Sequence, residues 1–186
     1  MVSLVSLWLP ILLSAVLAFL ASSVIHMVLK YHRADYARLP KEDEFLASVG
    51  KLGIPPGNYF FPHAPDMKAM EAPEMKEKFV RGPVGMVTVM ASGVPAMGKQ
   101  LLGWFIYCLV VGIVTAYLTS RTLSAGTEYF QVFRVAGTVS FLTYSGAQPV
   151  TSIWYKRKWS TTWKHVFDGF VYGLLTAGAF AGFWPD

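Results

Sequence analysis

Apolar and polar positions alternate along this chain in blocks rather than with a short period. Four apolar stretches, residues 4–29, 101–120, 132–153 and 166–183, are separated by polar connections of very unequal length. Each stretch has about 18 residues or more, enough at ~1.5 Å rise per residue to cross a hydrocarbon core ~30 Å thick. The first two hold no charged side chain, the third only Arg134 and the fourth only Asp168, each near its start. The pattern predicts an all-α membrane protein, a four-transmembrane-helix bundle. Residues 1–29, 101–120, 132–153 and 165–186 supply the helices, with an outer loop at 121–131, a basic loop at 154–164 and a long connection at 30–100.

The connection has its own pattern. Residues 42–52 read as a short helix, with Phe45, Leu46, Val49 and Leu52 on one side, acids in the first turn and Gly53 after it. Residues 59–61 and 84–90 look extended, bounded by prolines and glycines, and are expected to pair as a small two-stranded β element. Pro73 suits the first turn of a helix running through Phe79. Within the third apolar stretch, Pro149 after Gly146 is expected to bend or end the helix, with Gln148, Thr151 and Ser152 available to the freed backbone groups.

Charge adds a direction. Fourteen of the 16 Lys and Arg lie in the two alternate connections, 30–100 and 154–164. Positive loops stay cytoplasmic, so both termini are expected outside, in a bacterial inner membrane. The net charge of +5 is then the positive-inside bias, and no nucleic-acid partner is implied. A mean hydropathy of +0.43 agrees. The first stretch lacks a basic n-region and reads as an anchor rather than a cleaved signal. Trp8, Trp104, Trp154, Trp159, Trp163 and Trp184 all fall near predicted span ends, where an indole is half dry and its N–H reaches water. Cys108 is the single cysteine, which excludes an internal disulfide.

Small residues supply a packing code. Gly169, Gly173, Ala177 and Ala181 recur every four residues in the fourth stretch, and Gly178 and Gly182 repeat the spacing beside them. Such stripes let helix backbones approach closely, within the bundle or against another membrane protein or a second copy. Shorter stripes recur elsewhere: Ser14, Ala18 and Ser22; Gly112, Ala116 and Ser120; Ala136 and Ser140.

Candidate chemistry is sparse. Nucleophile-elbow, phosphate-loop, zinc-protease and dinucleotide fingerprints are absent from the sequence. His26 at the inner end of the first stretch, with His165 and Asp168 at the start of the fourth, form a candidate metal set for Zn, Fe or Mn, or a proton relay, with His32 close by. Haem held between His26 and His165 is a narrower version. The plainer alternative leaves Asp168 in a helix's first turns, favoured by the dipole and paired with Lys164. Six methionines between residues 67 and 97, with His63, form a Cu(I)-like set or an adaptable contact surface. No cofactor is required by the sequence. The leading functional expectation is an accessory or scaffolding subunit of a larger membrane complex. The alternatives are a metal- or haem-binding redox or catalytic membrane protein and a small oligomeric channel or transporter.

Overall fold

A computed structural model describes residues 2–94 and 96–186. They form two compact units: residues 2–36 with 96–186, and residues 37–94. In chain order the helices are α1 (Trp8–Ser23), α2 (Glu42–Lys51), α3 (Met67–Glu71), α4 (Pro73–Arg81), α5 (Gly98–Thr122), α6 (Tyr129–Ser145), α7 (Gln148–Tyr155) and α8 (Trp159–Gly182), and the strands are β1 (Gly57–Phe61) and β2 (Gly85–Val89).

The first unit is a helical bundle. α6 packs on α8, α1 packs on both α5 and α8, and α5 on α6. One buried cluster gathers Leu7, Ala116, Val132, Ala136 and Phe180. These come from the start of the chain, the second half of α5, the start of α6 and the end of α8. A second cluster gathers Ala18, Ile25, Cys108, Tyr144 and Tyr172, from the opposite ends of the same helices. The four helices therefore alternate in direction.

Close approach follows the small residues. A Cβ added at Gly173 would lie 3.1–3.2 Å from the Cβ, Cα and N of Phe141, and one at Gly137 would lie 3.1 Å from the Cβ of Ala177. One at Gly169 would collide with Ser145 Oγ. The Gly169–Gly173–Ala177 stripe thus faces α6, and Ala181 is buried in the first cluster. Gly178 and Gly182 meet nothing within 4 Å. α5 uses Gly112 in the same way, where a Cβ would sit 3.1 Å from the carbonyl oxygen of Ile11 in α1.

Two helical stretches among the described residues, Val5–Val28 and Gly98–Thr122, are long and apolar enough to cross a membrane, where the sequence led us to expect four. The third apolar stretch is not one helix. α6 ends at Ser145, and the chain turns at Gly146 and Ala147 before α7, in which Pro149 sits in the first turn. Gly146 permits that turn, because a Cβ there would come within 2.6 Å of the Leu142 carbonyl oxygen. The fourth stretch lies in a longer helix than expected. α8 starts at Trp159, and His165, Asp168 and its glycines dilute the apolar content of its central windows.

The second unit follows the sequence closely. α2 covers all but the last residue of the stretch read as helical, with Gly53 beyond it in the left-handed region at φ 59°. β1 and β2 pair antiparallel in the register Gly57↔Val89 to Phe61↔Gly85. Pro73 opens α4, and Asp66 caps α3, accepting a hydrogen bond of 2.7 Å from the Ala69 N–H.

Candidate functional site

The site is built where α1 loses its regular form. Ser22 and Ser23 both turn their hydroxyls back onto the Phe19 carbonyl, at 2.8 and 3.0 Å. That competition loosens the helical ladder, and the next five residues, Val24–Val28, form a π-helical turn that carries His26. A 3₁₀ turn, Lys30–Ala34, then presents Tyr31 and His32, with Asp35 just beyond. Opposite them α8 supplies Thr161, Lys164, His165 and Asp168 on successive turns of one face.

His32 lies at the centre. Its Nε2 is 2.8 Å from Asp168 Oδ2, and its Nδ1 is 2.6 Å from Asp35 Oδ2. Tyr31 donates its hydroxyl hydrogen to Asp168 Oδ1. Lys164 Nζ donates to Asp35 Oδ1 at 2.7 Å and to the Tyr31 carbonyl at 2.5 Å, and Thr161 Oγ1 donates to Asp35 Oδ1 at 3.2 Å. Asp168 is 2 % exposed, so its carboxyl group takes its hydrogen bonds from Tyr31 and His32 rather than from water. Burial alone would raise the Asp35 carboxyl, but hydrogen bonds and charge from Lys164 and His32 outweigh it and hold it at about 2. Burial, then the hydrogen bond to Asp168, pushes the Tyr31 hydroxyl well above its ordinary value.

The three residues singled out from the sequence, His26, His165 and Asp168, line one cavity of about 520 Å³. One ligand atom each from His26, His32 and Asp168 lies within 4.8 Å of the others, and the same holds for His32, Asp35 and His165. His165 Nδ1 is 3.8 Å from Asp168 Oδ2. The His32 ring lies 4.5 Å from that of His26 and 5.1 Å from that of His165, centre to centre. A haem held between His26 and His165 would have to displace it, whereas a single ion would not.

Two parts of the sequence reading change. Lys164 pairs with Asp35, 129 residues away, and not with Asp168 on its own helix. Asp168 is also not in a first turn. α8 begins nine residues earlier, so the helix dipole, which acts over one turn, does not account for it. Tyr31 and Asp35 went unnoticed because the 3₁₀ turn that aims them leaves no periodic signal. The triad spacing of His32 and Asp35, three apart and matching that of His165 and Asp168, was the available clue.

The remaining cavity wall is aromatic. Trp104, Tyr107, Tyr144 and Tyr172 form a connected set with ring centres 5.4–6.2 Å apart. Trp104 is committed here, with its indole N–H donating to Ser22 Oγ at 2.7 Å. Trp8, Trp154, Trp159 and Trp163 are exposed, and Trp184 donates to the Ser124 carbonyl at 2.9 Å. Arg157, within the basic 156–158 run, turns inward: it donates to the Gln148 carbonyl and side-chain oxygen, both at 2.9 Å, and to Thr162 Oγ1 at 3.1 Å.

Comparison of the chain with protein-family models, with curated proteins and with solved structures finds no match in any of the three.

Proposed function

We propose that this chain is a metal-dependent membrane protein, with one first-row transition-metal ion held by His26, His32 and Asp168 at the inner end of a four-helix bundle that spans the bilayer. The observation that carries the reading is the position of His32. Its Nε2 lies 2.8 Å from a carboxylate oxygen of Asp168 while its Nδ1 is held by a second carboxylate, Asp35. Two cis ligands on an octahedral ion with bonds of roughly 2.1 Å stand about 3 Å apart. A ligating imidazole ordinarily donates its other N–H to a carboxylate, which fixes the tautomer and raises basicity. Asp35 fits that role, and Lys164 and Thr161 orient it in turn. The hydrogen between His32 Nε2 and Asp168 is the one an ion displaces on binding.

Two imidazoles and one carboxylate with positions left open suit Fe(II), or Mn(II) with its oxygen preference. The open positions give onto the cavity, since His26 and Asp168 both line it. The bilayer placement rests on the apolar Val5–Val28 and Gly98–Thr122 helices, with α6 and α8 alternating in direction beside them.

Metal analysis of protein purified without chelators and then loaded with Fe(II), Mn(II) or Zn(II) tests the reading. About one ion per chain is expected, lost in His32→Ala and in Asp168→Asn. A folded wild-type chain that retains no stoichiometric ion from any of the three would refute it.

A second reading keeps one observation in its favour. A Cβ added at Gly178 or at Gly182 would meet nothing within 4 Å in this chain, which leaves that small-residue stripe free for close packing on another subunit. For an accessory subunit, a second polypeptide is expected to co-purify after gentle extraction; a lone chain after crosslinking in cells would count against it.

A further inference from the structure

We infer that the cavity lined by His26, His165 and Asp168 binds the neutral ring of a membrane-soluble quinone or quinol. Four observations converge on that class. First, the wall is aromatic: the rings of Trp104, Tyr107, Tyr144 and Tyr172 favour a flat, polarisable ring over an aliphatic chain or a sugar. Second, the Tyr172 hydroxyl has no hydrogen-bond partner although the residue is only 4 % exposed and lines the cavity. An unsatisfied buried hydroxyl is costly, and a ring carbonyl oxygen would satisfy it.

Third, among the described residues no Lys or Arg lines the cavity, while Asp168 does. That lining disfavours the phosphate of an anionic lipid headgroup and accepts a neutral group, or a quinol O–H. Fourth, the mouth is apolar and open. Among the exposed lining residues Met27, Met97 and Leu101, at 75 %, 64 % and 41 %, outweigh Gln100, and Met27 and Leu101 belong to the two helices apolar enough to cross a membrane. A ligand dissolved in the bilayer enters there and leaves its tail outside. The volume of about 520 Å³ accommodates a substituted ring and the first part of a tail, within the usual range for small-molecule sites.

This inference rests on the metal reading for what the bound ring is set against, but the cavity wall itself does not depend on the ion. Calorimetric titration of a benzoquinone with a ten-carbon tail into the detergent-solubilised full chain, both metal-loaded and metal-stripped, keeps the two separable. Saturable binding at about one site per chain is expected. Tyr172→Phe should weaken it about tenfold, the loss of one hydrogen bond. Leu101→Trp at the exposed mouth should weaken it by at least as much without touching the core. A short-chain phosphatidylglycerol should not compete. Absence of saturable binding by folded wild-type protein overturns the proposal, as does unchanged affinity in Tyr172→Phe or preferential binding of the phosphatidylglycerol. Quinone binding with no metal uptake would remove the metal reading and leave this one standing. Metal uptake with no quinone binding would do the reverse.

Discussion

His32 is held from both sides by carboxylates, and this determines what each neighbour does. Its Nε2 meets Asp168 and its Nδ1 meets Asp35, while Lys164 also holds Asp35. With a metal on Nε2 it keeps only the bond to Asp35. At the proposed metal site Asp35 would act as a positioning residue, and Asp35→Asn separates that role from its structural one. The amide oxygen still accepts from an N–H, so the fold is expected to persist, while metal affinity falls about 10–100-fold with the loss of the orienting charge. Metal-binding titration against an unchanged thermal unfolding profile checks this; an unaltered metal affinity would confine Asp35 to a structural part. His32→Ala should differ by also destabilising the fold. It leaves Asp168, with 3 % of its side chain exposed, without its hydrogen bond to His32, at a cost of about 1–3 kcal/mol, visible as an earlier thermal transition. The sequence disclosed His26, His165 and Asp168 because they stand out in apolar surroundings, and the cavity brings those three together. It did not disclose Asp35, one acidic residue among several in a polar connection, because only the 3₁₀ turn after Leu29 gives it direction.

At the scale of elements, the small-residue stripe of α8 carries the tightest packing. A Cβ on Gly173 would lie 3.2 Å from the backbone of Phe141, so a side chain there has nowhere to go. Gly173→Leu is expected to force α6 and α8 apart at a cost of about 1–3 kcal/mol, or to prevent folding. Gly178→Leu, which meets open space, should leave the monomer's unfolding temperature unchanged. Equal effects of the two substitutions on detergent-solubilised monomer would contradict the assignment of faces. The i, i+4 spacing of small residues made the packing faces of these helices legible in the sequence, and proline and glycine punctuation did the same for the antiparallel β1–β2 pair. The break between α6 and α7 was half legible. Pro149 announced it, but hydropathy reads straight through Gly146 and so produced one span where there are two helices. The start of α8 was misplaced for the opposite reason: hydropathy stops at the charged residues, whereas helical hydrogen bonding continues through Lys164 back to Trp159.

For the first unit as a whole, the alternating directions of α1, α5, α6 and α8 put the ends where both basic connections join the bundle on the side of His26, His32 and Asp168. If the bundle spans the bilayer, that end faces the cytoplasm. Single-cysteine labelling tests this in a background where Cys108, which is buried, is replaced by Ser. An impermeant thiol reagent added to intact cells should label Glu128→Cys, and should label Lys156→Cys only after the cells are opened; both positions are exposed. The reverse pattern would invert the protein and place the cluster outside.

The hydrogen bonds that define the cluster join residues 126–137 positions apart, from the turn after α1 to the first half of α8. His32 and Asp35 can meet each other as soon as the turn after α1 is made, but α8 comes last of the helices and alone supplies Thr161, Lys164 and Asp168. The cluster therefore closes only once α8 has docked, and possession of a bound ion would mark a chain as completely assembled. A quality-control protease that meets the nascent protein without α8 would find the π turn, the 3₁₀ turn and their polar groups still unlatched.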